Sequence, residues 1–339
     1  MTFSCDLRRV GGRIFSPLLL AAALLAACGG GTQQVAAFRP ARLIVLGDEN
    51  SMIEDFIDAD GKHDGLKYTI NNRSAASSTK CLALPTFVQS VAAAYGFVFA
   101  QCNPDAVSPK AFILAQRLAT AGDPVTGLAQ QIAAQPDLGA TDLVTVMIGG
   151  NDMIELYERT RGGLNPADAV AAAQQRGSQV AAQVNAILGT GARALVITLP
   201  DLGLSPYAVN ANKTDAGASA LLSGLTYQFN AYLRTRIDAK SFDGRNYGLV
   251  LADDIVAAMA KVPASFLTSP SVATVSACGI ADDLTGDAVA TAVLGCTTAN
   301  LVDGAGTSSH LWASDRHLGP SAHARIGAQA QSRAFSNPF

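Results

Sequence analysis

The sequence predicts an α/β fold: a doubly wound, parallel five-stranded sheet flanked by helices. Five short apolar runs, rich in β-branched residues and bounded by turn residues, are typical of parallel strands that are buried on both faces. Segments with helical periodicity separate these runs, as expected of crossover helices. The predicted strands are residues 42–46, 97–100, 143–147, 194–198 and 248–252.

Two of the intervening helices have clear sequence signals. Asn165 is a preferred N-cap residue and Pro166 suits the first helical position, so a helix is predicted to begin here and to end near Gly189. Apolar residues recur every three or four positions in this segment and in the one before the fifth strand, which indicates one buried face on each helix. They are Val180, Val184, Ile187 and Leu188, and Leu222, Leu225, Phe229 and Leu233.

Residues 1–27 have the pattern of a secretory signal peptide, with an arginine-containing start and an apolar run too short for a comfortable membrane span. The end of this segment, Leu-Ala-Ala-Cys, resembles a bacterial lipobox. That resemblance implies a lipid anchor on Cys28, a tether over residues 28–41 and attachment to a membrane through the lipid. Because Gly29 is not aspartate, it also implies a cell-envelope lipoprotein of the outer membrane, facing the periplasm or the surface. Ordinary signal cleavage near Ala27 is the alternative.

Composition and charge suit one large globular domain or two small ones, and we assign residues 42–339 to a single domain. The chain has 339 residues and a formal net charge of -3, and its 24 lysine and arginine residues are scattered along the sequence. Binding to nucleic acid requires a basic stripe that follows the phosphate backbone. No nucleic-acid partner is therefore expected.

Four cysteines remain beyond the signal peptide and its end, an even number that predicts two disulfides in an oxidising compartment. Neither a CxxC spacing nor a nearby histidine pair is present, so no metal site is expected. Residues 260–312 are rich in Ala, Ser, Thr and Gly and have no sustained period, which predicts an excursion pinned by one of the disulfides. Proximity in the sequence favours the pairs Cys81 with Cys102 and Cys278 with Cys296.

Polar clusters follow two of the predicted strands directly. Asp48–Ser51 comes after the first strand, and Gly149–Asp152 comes after the third. In doubly wound sheets, ligands bind beyond the carboxyl ends of the strands. Both clusters are therefore candidates for one functional site.

Further blocks accompany these clusters. "LATAGDPVTGLAQQI" contains Gly122, and "LWASDRHLGPSAHARIGAQA" contains His317 close to the C-terminus. Together with the Gly-Asp turn after the first strand and the Gly-Gly-Asn-Asp turn after the third, they resemble the SGNH, or GDSL-type, hydrolases. The resemblance spans about residues 42–330, which makes residues 42–339 an SGNH-hydrolase-like domain.

The resemblance implies a doubly wound sandwich that hydrolyses carboxylic esters, as esterases and lipases do, without a cofactor. Acyl transfer needs a nucleophile, a base that takes its proton and hydrogen-bond donors for the developing oxyanion. By resemblance, His317 is the base, and Asn151 and the N–H of Gly122 are the oxyanion donors.

The sequence departs from the family pattern at two catalytic positions. Glu49 stands where the nucleophilic serine belongs, and the first serine after it is Ser51. Ser314 stands three residues before His317, where the orienting aspartate belongs, and Asp315 follows one residue later. The one-residue shift is expected to turn the Asp315 carboxylate away from the imidazole unless the loop rearranges.

Three hypotheses account for Glu49. In the first, the site is degenerate, and the Glu49 carboxylate pairs with His317 and raises the pKa of the imidazole. In the second, Ser51 is a displaced nucleophile, although a shift of two residues into a helix start rotates the side chain by roughly 200°. In the third, Glu49 itself attacks the substrate or binds a metal ion together with Asp48 and His317.

Two functions follow from these hypotheses. The first is a hydrolase of carboxylic esters that acts on a small-molecule ester, with catalytic groups that are degenerate under the first hypothesis. The alternative is a noncatalytic cell-envelope lipoprotein that binds an acyl or glycan ligand in a residual pocket. A hydrogen bond from Ser51 to His317 would favour the displaced nucleophile, whereas a Glu49 carboxylate in that place would favour the degenerate site.

Overall fold

A computed structural model describes residues 37–58, 60–72, 80–280, 286–336 and 339. The predicted signal peptide, the proposed anchor at Cys28 and most of the tether lie outside these residues. Within the described part of the chain, no helix combines the length and the apolar character needed to cross a membrane.

The core of the fold is the predicted five-stranded parallel sheet, which is confirmed. The first strand, β1, pairs with β2 on one side and with β3 on the other, and the order across the sheet is β2-β1-β3-β4-β5. Four of the five strands overlap the predicted runs. Their bounds are β1 Arg42–Gly47, β2 Ala111–Ile113, β3 Asp142–Met147, β4 Arg193–Ile197 and β5 Tyr247–Val250.

The predicted strand at residues 97–100 is wrong, because the edge strand of the sheet is β2, at Ala111–Ile113. Within 97–100, Phe99 forms only isolated bridges, to Ala111 and to Cys102. Phe99 is nevertheless buried in the core. The apolar character of this run therefore comes from the packing of a loop, pinned at Cys102, rather than from strand pairing.

Helices cover both faces of the sheet. The predicted helix after Asn165 is confirmed: it spans Pro166–Gly189, and the Asn165 side chain accepts a hydrogen bond from the N–H of Ala167. The predicted apolar face before the fifth strand is also buried. The helices are α1 Phe87–Ala94, α2 Leu128–Ala133, α3 Gly150–Arg161, α4 Pro166–Gly189, α5 Pro206–Ala211, α6 Ala218–Arg236, α7 Ala252–Lys261, α8 Gly286–Leu294 and α9 Pro320–Ala334.

Alternate residues of the strands point into two apolar layers. In β1, Leu43 and Val45 pack with α1, α7 and α9, whereas Ile44 and Leu46 pack with α2, α3, α4 and α6. Both layers are fully buried, which explains why the strands have near-continuous apolar sequences. The sheet is thus a rigid base from which the loops at its carboxyl edge project.

Between α7 and α9 the chain leaves the main sheet. Strands β6 (Val272–Ser276) and β7 (His310–Trp312) pair with each other in parallel, and α8 lies between them in sequence. The predicted disulfide between Cys278 and Cys296 is present, and so is the one between Cys81 and Cys102. At the end of this segment, Trp312 and the loop that follows it lie at the carboxyl edge of the sheet.

Candidate active site

The turn after β1 places Glu49 at the carboxyl edge of the sheet. Gly47 has a φ of 146°, and a Cβ there would lie 2.1 Å from the carbonyl oxygen of Met147, so only glycine fits. The Asp48 carboxylate caps the following turn by accepting a hydrogen bond from the N–H of Asn50 at 3.1 Å. The next side chain, Glu49, is only 3% exposed although it is acidic.

Both oxygens of the Glu49 carboxylate have specific neighbours. Oε2 accepts hydrogen bonds from the N–H of Leu118 and from Nδ2 of Asn151, each at 3.0 Å. Oε1 lies 3.5 Å from Nε2 of His317, whose side chain is 1% exposed. Hence the structure brings Glu49, Asn151 and His317 together, and the carboxylate occupies a pocket that provides two hydrogen-bond donors.

The backbone donor is Leu118 rather than the predicted Gly122. A Cβ built on Gly122 would meet the Gln179 side chain of α4, and the N–H that reaches the carboxylate belongs to the residue four positions earlier. Leu118 has a φ of 58°, in the left-handed region that usually holds glycine. Leu118 therefore supplies the backbone hydrogen bond to the carboxylate, and the oxyanion role of Gly122 stays a prediction.

The loop that carries Leu118 is fastened to α3. Oδ2 of Asp152 accepts a hydrogen bond from the N–H of Ala121 at 2.9 Å, and Oδ1 accepts one from Nη1 of Arg176 at 2.6 Å. At the start of α3, Gly149 has a φ of 128°, and a Cβ there would lie 2.6 Å from the Phe229 ring. The Gly-Gly-Asn-Asp turn thus holds the backbone donor and the side-chain donor in one place.

The orienting partner of His317 is Ser314. Its Oγ lies 2.7 Å from Nδ1 of the imidazole and accepts hydrogen bonds from the N–H groups of His317 and Arg316. The same hydroxyl lies 3.4 Å from Oδ1 of Asp315, so both Nδ1 and this carboxylate oxygen are within reach of its proton. The other ring nitrogen, Nε2, faces Glu49.

The structure does not bring Asp315 or Ser51 to the imidazole. The Asp315 carboxylate binds the Arg316 guanidinium, with Nη2 at 2.7 Å, so the one-residue shift turns it away as expected. The Ser51 hydroxyl is buried and has no hydrogen-bond partner among the described residues. It lies under the β1 turn, 3.0 Å from the point where a Cβ on Gly47 would stand.

The two adjacent carboxyl groups have pKa values shifted in opposite directions. Burial raises the pKa of Glu49, but the neighbouring His317 imidazole and the hydrogen bond from Asn151 outweigh burial and leave the pKa below its usual value. Burial, reinforced by the charge of Glu49, raises the pKa of Asp48 to about 8. At neutral pH the pair therefore carries one negative charge, on Glu49.

A cavity of about 20 Å³ adjoins Glu49, enough for about one water molecule. Its wall includes Asn151, Leu199, Trp312 and Arg316. Nε1 of Trp312 is buried without a hydrogen-bond partner among the described residues. Trp312 was not predicted, although it is the single tryptophan of the chain and stands two residues before Ser314.

A wider groove of about 310 Å³ adjoins this cavity and shares Asn151, Ile154 and Arg316 with it. Tyr207 forms part of its wall, and its ring lies 4.8 Å from the Arg316 guanidinium carbon. The groove is within the size range of small-molecule sites. Across the described residues, no group of three or more His, Cys, Asp or Glu side chains is arranged to hold a metal ion.

Comparison with known protein families agrees with this geometry. The model of the GDSL-like Lipase/Acylhydrolase family matches residues 74–329, about three quarters of the chain. The chain belongs to this family. Lipases and acylhydrolases cleave ester bonds, and the match includes Asn151 and His317 but begins after Glu49. No curated protein matches the sequence significantly.

Proposed function

We propose that this GDSL-family protein is silent in serine-based hydrolysis of carboxylic esters and retains the site as a pocket for a small ester, acyl or glycan ligand. The observation that carries the proposal is the Glu49 carboxylate, which accepts both hydrogen bonds of the donor pocket. Family members need those donors for the oxyanion of the substrate, where one donor typically contributes about 3 kcal/mol. In this chain a permanent negative charge competes with the oxyanion.

The missing nucleophile supports the same proposal. Loss of the serine from such a triad lowers kcat by about a millionfold. Ser51 offers no replacement, because its hydroxyl makes no hydrogen bond within the described structure and Nε2 of His317 faces Glu49 instead.

Turnover of p-nitrophenyl acetate tests the proposal with three proteins: the wild type, Ser51→Ala and Glu49→Ser. We expect the wild type and Ser51→Ala to stay at the uncatalysed rate, and Glu49→Ser to rise above it because it gains a nucleophile and frees both donors. The double variant Glu49→Ser/His317→Ala is the matched control and should return to background. Wild-type turnover that Ser51→Ala abolishes would overturn the proposal.

We also propose that the protein is exported and held at the cell envelope by a lipid on Cys28. The support is the lipobox-like end of the signal segment, since these residues lie outside the described structure. Replacement of the cysteine in Cys28→Ala should move the protein from the membrane fraction to the soluble fraction, measured by fractionation and immunoblotting. A Cys28→Ala protein that stays in the membrane fraction contradicts the lipid anchor.

A further inference from the structure

The Glu49 carboxyl carbon occupies the place of an acyl carbon. In an ester of serine, two atoms, Cβ and Oγ, separate Cα from the acyl carbon, and in glutamate two atoms, Cβ and Cγ, separate Cα from Cδ. One oxygen on Cδ accepts the donors of Leu118 and Asn151, and the other faces His317. The groups that hydrolyse an ester in this family are therefore aimed at the side chain of Glu49 itself.

We propose that Glu49 is a nucleophile toward saturated carbon, and that the protein hydrolyses small alkyl compounds whose carbon carries an anionic leaving group. Oε1 of Glu49 attacks the carbon, a new carbon–oxygen bond forms, and the carbon–leaving group bond breaks with its electron pair on the departing anion. The product of this step is an alkyl ester of Glu49. Carboxylate nucleophiles of this kind are established in enzyme chemistry.

The second step is hydrolysis of the alkyl ester of Glu49 by the base and the oxyanion donors of the site. Nε2 of His317, which has no hydrogen-bond partner within the described structure, takes a proton from water while the hydroxide attacks Cδ. The negative charge develops on Oε2, where Leu118 and Asn151 already donate. The tetrahedral intermediate releases the alkoxide, which takes the proton from the imidazole, and the carboxylate is restored. The overall reaction converts the alkyl compound and water into an alcohol, the leaving-group anion and a proton.

The basicity of the leaving group favours saturated carbon over a carbonyl carbon as the target of Glu49. A carboxylate that attacks a carboxylic ester must expel an alkoxide, a far more basic group, so the adduct returns to starting material. At saturated carbon the leaving group is a halide, which is less basic than the carboxylate, and the step proceeds. The ionised state of Glu49 in the buried site supplies the required negative oxygen.

The cavity beside Glu49 offers a place for the leaving group. Trp312 lines it, and because the buried N–H of this residue has no partner among the described residues, it remains available to donate to an anion. Arg316 lines the same wall and adds positive charge, although Asp315 binds its guanidinium. Because the cavity is only about 20 Å³, it has room for a single halide, and the alkyl group extends into the adjoining groove of about 310 Å³.

The inference shares one premise with the proposed function: the reacting group at this position is Glu49 and not a serine. The experiment uses two donors, bromoethane and chloroethane, because both deliver the same ethyl group and both leaving groups are single halides. The wild type should release bromide and ethanol above the uncatalysed rate, and Glu49→Gln should not. After turnover in water labelled with heavy oxygen, mass spectrometry should find the label in the Glu49 carboxylate of the wild type.

Variants separate the two steps. His317→Gln should stop after the first step, with one bromide released for each protein molecule and an ethyl group on the peptide that contains Glu49. Trp312→Phe should slow bromide release by about tenfold or more, since a hydrogen bond to a charged group is lost. Ser51→Ala should behave as the wild type, and circular dichroism checks that each variant folds.

A wild type that takes no label and a His317→Gln variant that gains no ethyl group overturn the inference. That outcome leaves the proposed function intact, because the latter is judged by p-nitrophenyl acetate turnover in Glu49→Ser. Conversely, wild-type esterase activity that depends on Ser51 overturns the proposed function, whatever the labelling shows. An ethyl group found equally on Glu49→Gln would show unspecific alkylation and count against a nucleophilic role for Glu49.

Discussion

Two buried carboxylates beyond the carboxyl ends of neighbouring strands bind the same loop in different ways. Asp152 binds the N–H of Ala121 and the guanidinium of Arg176, so its hydrogen-bonding capacity is used within the fold. Glu49 binds the N–H of Leu118, three residues before Ala121, but its other oxygen faces an imidazole across 3.5 Å. Its neighbourhood also includes the unpartnered Nε1 of Trp312.

The difference shows how a structural carboxylate and a reactive one can be told apart. Around Asp152 every donor has an acceptor, and a change there removes a fastener of the loop. Around Glu49, buried polar atoms without partners among the described residues, such as Nε1 of Trp312, lie at a cavity, which is unfavourable in a folded protein unless a ligand or water uses them. We therefore assign the first region to stability and place the proposed chemistry at the second.

The largest effect should come from restoring both missing triad residues in the Glu49 region. In the Glu49→Ser background, Ser314→Asp provides a carboxylate for Nδ1 of His317, which then presents a lone pair to the new serine. An orienting aspartate is worth up to about ten-thousandfold in kcat, so we expect at least a hundredfold gain in p-nitrophenyl acetate turnover over Glu49→Ser alone. Ser314→Asn is the matched control and should give no such gain. Equal activity of the two variants would show that Ser314 is not the orienting position.

A smaller effect, on stability, should appear in the Asp152 region. Asp152→Ala leaves the N–H of Ala121 without its acceptor and removes one carboxylate partner of Arg176, so we expect unfolding free energy to fall by about 3 to 5 kcal/mol. Glu49→Gln should lower it by only about 1 kcal/mol, since the amide oxygen keeps both donor bonds. Urea unfolding measures both changes. Similar losses for the two variants would break the distinction between the regions.

The smallest effect concerns the pH dependence of stability at Asp48. Its pKa is raised by burial and by the charge of Glu49, to about 8, so the folded state keeps the proton while the unfolded state loses it. Stability from this group is therefore complete below about pH 4 and is lost as the pH rises toward 8. Asp48→Asn removes the loss and should gain about 2 kcal/mol relative to the wild type between pH 4 and pH 6.

Urea titrations of the wild type and Asp48→Asn at several pH values measure this difference. Asp60→Asn, at an exposed position remote from the sheet, is the control and should leave the pH dependence unchanged. A wild type whose stability rises between pH 4 and pH 6 in the same way as that of Asp48→Asn would show that Asp48 ionises normally in the folded state.

Much of the fold could be predicted because it depends on local patterns. Four of the five strands and the helix after Asn165 follow from apolar runs and cap residues. The edge strand at Ala111–Ile113 could not be predicted in this way, because it is short and half-exposed and a longer apolar run at residues 97–100 lies nearby. Burial of a loop and burial of a strand produce the same composition.

The candidate site could be predicted only in part, because some of its contacts depend on the folded backbone rather than on local sequence patterns. The sequence locates Glu49, Asn151 and His317, because each follows a recognisable turn, and the structure brings them together. The backbone donor is missed because Leu118 adopts a conformation that its residue type does not indicate. The contact between the Ser314 hydroxyl and Nδ1 of His317 depends on the folded shape of the loop, which no spacing rule includes.

The two ends of the described domain meet at Arg193. Its guanidinium carbon lies 4.4 Å from the ring centre of Phe38 and 5.4 Å from that of Phe339, and the two rings touch edge to face. Because Arg193 begins β4, this contact lies at the amino edge of the sheet, whereas Glu49 lies at the carboxyl edge. Immobilisation or fusion through either end should therefore leave the pocket accessible, and a circular permutant that joins Phe339 to Phe38 needs only a short linker.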